Sequence, residues 1–155
     1  MNPFHGLQLA IELAERKRDQ RMLALANAQR QLLSGKQQLQ QLQSYAKDTD
    51  SRWSGGRDMV LSAELIRHHY QFVERLQHAI GMQDGVIAGF LQQEQICVRA
   101  LAVAESRVTG LKQVLAKRKL LLAATEQRRE QLQMDEMAAM VYARRLGIAQ
   151  MEDTL

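Results

Sequence analysis

Apolar residues recur at every seventh position through Ile66, Val73, Ile80, Ile87, Leu101, Val108, Leu115 and Leu122, and between Ile87 and Leu115 only Glu94 interrupts them. A second series, offset by three, begins at His69 and carries Leu76, Phe90, Cys97, Ala104, Leu111 and Leu132. Two interleaved series of this kind make a narrow apolar seam with a period of about 3.5 residues, the spacing that keeps one helix against a partner in a left-handed coiled coil. The single proline is Pro3, so nothing need break a helix from Ala63 to Leu146, which would be roughly 120 Å long. The pattern predicts a rod rather than a closed globular core.

A weaker seam precedes it. Asn2 and Pro3 suit a helix start, the asparagine as cap and the proline where a missing N–H costs nothing. Leu7, Ile11, Ala14, Arg18, Arg21, Leu25, Ala28, Leu32, Gly35, Leu39, Leu42, Ala46, Thr49 and Trp53 then follow the three-four alternation, with Arg18 and Arg21 at seam positions and a glycine costing about 1 kcal/mol at Gly35. Ser54, Gly55, Gly56 and Asp58 cluster between Arg52 and Leu61 and favour a turn. A short connection between amphipathic helices makes them antiparallel neighbours. The expected fold is all-α: a long two-stranded antiparallel coiled-coil hairpin with unequal helices. Its parts are helix one at about 4–52, a loop at about 53–61 and helix two at about 62–147 of a single-domain chain of 155 residues. Folding about the loop sets Leu42 near Leu76, Tyr45 near Phe72, Gln38 near Ala79 and Leu7 near Gly110. Everything after Leu111 then overhangs, and its continuing apolar stripe awaits another protein.

Composition agrees with long helices, with three Phe, three Tyr and one Trp in the whole chain. A formal charge of +4 permits acidic partners without choosing among them. The lone Cys97 falls on the seam as a small hydrophobe and is compatible with a reducing compartment. Neither a signal peptide nor a membrane span is expected. Gly81, Gly85 and Gly89 lie on the face turned from the seam and read as a locally weak helix rather than a close-approach groove. His68, His69 and His78 lack the spacing of a metal site, and no catalytic motif, phosphate loop or cofactor motif stands in the chain, so the expectation is a non-enzyme that needs no cofactor or metal. Arg16, Lys17 and Arg18, then Lys117, Arg118 and Lys119, are interleaved with glutamates and read as solvated faces. Met134, Met137 and Met140 form a stripe suited to an irregular partner groove.

Three stretches read together resemble the FliJ family of the flagellar type III export apparatus. They are Tyr70 to Ile80 after the loop, the helix-one segment with Gln38, Leu42 and Tyr45, and the tail from Gln133 to Met137 with the Ala/Arg-rich run after it. The resemblance implies a non-enzymatic stalk that bridges the hexameric export ATPase FliI and the cytoplasmic domain of the export gate protein FlhA. It also implies handling of export chaperones, from a cytoplasmic position peripheral to the inner membrane. The family's gate-binding pattern maps onto Gln38, Leu42, Tyr45, Phe72, Leu76 and Ala79. Two departures are Thr49, where an aromatic is expected, and Gln83, where a histidine is expected. The terminal regions imply an ATPase-ring or chaperone surface with Leu7, Ile11, Leu122, Leu132, Met134, Met137, Met140, Arg144 and Arg145.

Two other readings fit a basic coiled coil. One is the equivalent stalk of a virulence secretion system, which differs in its partners. The other is a module that binds nucleic acid or anionic membrane, whose affinity would fall steeply with salt.

Overall fold

In the computed structural model, which describes residues 2–55 and 62–154, the chain is an all-α helical hairpin of two helices. Helix α1 spans His5–Gly55 with 51 residues, and α2 spans Ala63–Asp153 with 91. Helix α1 continues past the expected boundary near residue 52. Trp53, Ser54 and Gly55 are helical, and the rest of the expected loop, residues 56–61, lies outside the described residues. At its far end α2 runs past the expected boundary near residue 147, because a lone Gly147 costs only about 1 kcal/mol and no proline follows it.

Both helix starts are capped by side chains. The Phe4 N–H donates to Asn2 Oδ1 at 3.0 Å and the His5 N–H to the Asn2 carbonyl at 3.3 Å, which places Pro3 where no donor is needed. At α2 the Leu65 N–H donates to Ser62 Oγ at 3.3 Å, and the Ile66 N–H to the Ser62 carbonyl at 3.2 Å. Each cap satisfies donors that have no partner within the helix.

The helices form two units, one of Glu12–Val108 and the other of Met1–Ile11 with Thr109–Leu155. In the first, Ala14, Ala28, Leu32, Leu76, Cys97 and Val108 are buried, and all six belong to the predicted seams. The helices here are antiparallel: Tyr45 meets Phe72, with ring centroids 5.8 Å apart, while Gly35 faces Ile87 and Phe90. In the second unit Ile11 is buried and Leu7, Gly110, Leu111 and Leu115 are half-buried. From Ala116 to Thr154 every residue is exposed.

Gly35 has a packing reason that its helix cost concealed. A Cβ there would stand 3.2 Å from Phe90 Cδ2 and 3.4 Å from Ile87 Cγ1, so the missing side chain is the hole that receives the Phe90 ring. The Gly35 carbonyl also accepts from Gln83 Nε2 at 2.9 Å, a cross-helix bond that the close approach permits. Gly81, Gly85 and Gly89 differ from it, because a Cβ at any of them meets nothing within 4 Å and the helix continues through all three.

These environments separate the glycines experimentally. Gly85→Ala removes backbone freedom without meeting a neighbour and should stabilise the fold by about 0.5–1 kcal/mol. Gly35→Leu should destabilise it by about 1–3 kcal/mol by forcing the Phe90 ring out. Urea midpoints followed by circular dichroism read both, and a stable Gly35→Leu variant would remove the knob-and-hole account.

Candidate partner-binding surfaces

The loop-proximal part of the hairpin is built by aromatic pairing. Tyr45 and Phe72 meet edge to face at an interplanar angle of 79°, a favourable quadrupole arrangement. Trp53, the last seam residue of helix one, stacks on His69, the first of its offset series, at 3.7 Å and 3°. His69 also meets Tyr70 at 6.2 Å. Between the two pairs lies a cleft of about 350 Å³ whose remaining lining comes from Asp48, Thr49 and Arg52. Thr49 is half-buried and turns its hydroxyl inward, donating to the Tyr45 carbonyl at 2.8 Å. The small side chain in place of an expected aromatic leaves this cleft open.

The residues expected to contact a gate divide by exposure. Tyr45 is 55% exposed, Phe72 is 38% exposed and Gln38 is exposed, whereas Leu42 and Ala79 are half-buried. Leu76 is 8% exposed and belongs to the seam, so its side chain packs the hairpin under the surface. Gln83 lies beside Gln38 and donates to its Oε1 at 3.1 Å as well as to Gly35. A histidine in this position has no amide with which to make the same pair of bonds.

The second expected set also divides. Ile11 is buried and Leu7 half-buried. Leu122, Leu132, Met134, Met137, Met140, Arg144 and Arg145 are all exposed, and the three methionines show about two thirds of their surface. Their i, i+3, i+6 spacing keeps them along one side of α2, where polarizable, unbranched side chains adapt to a partner's relief. Val141, Tyr142, Ile148 and Met151 add further exposed apolar surface in the same stretch.

The family described as "Flagellar FliJ protein" matches residues 4–147. The chain belongs to the FliJ family. No curated protein and no solved structure matches it. Membership gives this FliJ-family chain a role in flagellar type III export and partners within that apparatus. Among the described residues no helix is long and apolar enough to cross a membrane.

Trp53 and His69 were not among the expected contact residues, although the end of one seam and the start of the other signalled their pairing. Because Trp53 is the sole tryptophan, its fluorescence reports directly on the cleft. His69→Ala should shift Trp53 emission to longer wavelength and raise its quenching by acrylamide, while the helical circular dichroism signal stays within a few per cent. Unchanged emission would show that the stack does not shield the indole in solution.

Proposed function

We propose that this FliJ-family chain acts without catalysis as a link between the flagellar export ATPase FliI and the cytoplasmic domain of the export gate FlhA, and that it also handles export chaperones. It works at the cytoplasmic face of the inner membrane. Gate binding falls to Gln38, Leu42, Tyr45 and Phe72, with Leu76 and Ala79 packed beneath them. The ATPase ring or a chaperone takes Leu122, Leu132, Met134, Met137, Met140, Arg144 and Arg145, with Leu7 and Ile11 in the same unit.

The observation that carries this reading is the run of exposed residues from Ala116 to Thr154, which holds the stripe of Met134, Met137 and Met140 and continues a heptad seam without covering it. An uncovered apolar helix face of this length is a docking surface for another protein. The half-exposed Tyr45–Phe72 pair supports a second contact, since aromatic anchors in a ready-made cleft lose little conformational freedom on binding. Two surfaces built from separate stretches of sequence let one chain hold two partners.

A pull-down with purified FliI and the FlhA cytoplasmic domain tests the division. The triple substitution Met134→Gln, Met137→Gln and Met140→Gln should weaken FliI capture by at least about tenfold while FlhA capture persists. Phe72→Ala should have the converse effect. Loss of both partners in either variant, at unchanged helicity, would sink the two-surface assignment. Capture that collapses between low and moderate salt would favour the electrostatic nucleic-acid or membrane module.

Leu76→Ala gives an independent check on the buried layer. It should lower the stability of the hairpin by about 2–4 kcal/mol in urea denaturation, because it leaves a cavity in the seam. A change below about 0.5 kcal/mol would return Leu76 to the surface as a direct contact.

A further inference from the structure

Within Glu12–Val108, and separate in sequence from both surfaces above, the two helices leave a furrow of about 340 Å³. Its floor is Ala14, Ala100 and Ala104, and Val103 stands at its edge with 71% of its surface exposed. Lys17, Arg21 and Arg107 complete the lining. Among the described residues none of these three cations is in an ion pair, whereas neighbouring Arg18 is paired with Asp19 at 3.1 Å. Lys17 and Arg21 are one helical turn apart, a like-charge arrangement that is destabilising unless an anion is shared.

The stripes that line the furrow run on along both helices beyond it. On α1 the stripe of Ala14, Lys17 and Arg21 continues at helical spacing into Ala24 and Ala28, and on α2 that of Ala100, Val103 and Arg107 begins at the exposed Ile96. Alanines along both sides keep the walls low, and interhelical distance is set by side-chain size at the contact. A third helix can therefore lie in this valley with one apolar residue against Val103 and Ile96 and its flanking positions beside the cations.

We propose that this furrow binds an acidic amphipathic helix of a partner protein. Charge selects the occupant: three unpaired cations around an alanine floor suit leucine-type anchors flanked by glutamate or aspartate, with the guanidinium groups of Arg21 and Arg107 available for two-point carboxylate bonds. The binding is distinct from the gate and ATPase contacts and survives the substitutions that remove them.

The probe is a fluorescein-labelled helical peptide of about 20 residues with leucines spaced i, i+3, i+7 and glutamates on either side, titrated against the full chain in moderate salt. Lys17→Glu with Arg107→Glu should weaken binding by at least about tenfold, and Arg128→Glu with Arg129→Glu should leave it within about twofold. Val103→Lys separates a seated helix from general attraction, since it adds positive charge but blocks the apolar seat. The furrow predicts a loss of at least about fivefold. Equal or tighter binding of Val103→Lys, equal loss in the Arg128/Arg129 variant, or no binding by the wild-type chain would each overturn the proposal. Adsorption of the chain to anionic lipid vesicles that Lys17→Glu with Arg107→Glu abolishes, without any peptide binding, would assign the furrow to a membrane surface instead. Circular dichroism of each variant at the wild-type level keeps these outcomes readable, because Lys17, Val103 and Arg107 are exposed.

Discussion

The hairpin depends on burial along one narrow line. In Glu12–Val108 the side chains removed from water are mostly small or medium: Ala14, Ala28, Leu32, Leu76, Cys97 and Val108. Hydrophobic gain scales with apolar area, and a seam of this kind gains a little at each turn rather than much at a single centre. The caps at Asn2 and Ser62 and the stacked Trp53–His69 pair matter in proportion, because they hold the helix ends where seam contacts are fewest. The same choice of small residues that lets the helices approach leaves shallow ground beside them, as at Ala100 and Ala104.

A repeating seam has an intrinsic ambiguity, since sliding one helix by a heptad restores most apolar contacts. Polar and shape-specific features resolve it. The Phe90 ring fits where Gly35 has no side chain, and Gln83 reaches the Gly35 carbonyl and Gln38. A heptad slip would set the ring against Ala28 or Leu42 instead and break both glutamine bonds. The aromatic pair of Tyr45 and Phe72 adds a second fixed point nearer the loop. Together these contacts choose one alignment from several nearly equal ones.

The helical hairpin and the antiparallel pairing of Tyr45 with Phe72 were legible in the sequence because heptad spacing, the glycine cluster and the absence of later prolines all point the same way. Helix ends were less legible: Trp53 to Gly55 are held helical near a stack that involves a residue on the other helix, which local propensity does not see. Gly35 read as a defect for the same reason, since its value lies in Phe90, far away in sequence. The exposure of Met134, Met137 and Met140 followed from their place in the overhang, where helix one offers no partner. Leu76 did not separate from Phe72 by residue type, as both are apolar and only burial distinguishes an anchor from the layer beneath it. The furrow at Lys17, Arg21 and Arg107 was hidden because charge runs interleaved with glutamates look balanced along the chain, while pairing is decided across space.

No described side chain is fully enclosed, even along the seam. Unfolding such a structure hydrates comparatively little new apolar surface per residue, and that hydration is the source of the heat-capacity increment. A small increment flattens the stability curve, so the hairpin's free energy varies gently with temperature and cold weakens it little. For a chain whose apolar faces are reserved for other proteins, thermal robustness then comes chiefly from the assembly that covers those faces, as binding to the folded form adds its own free energy to the fold.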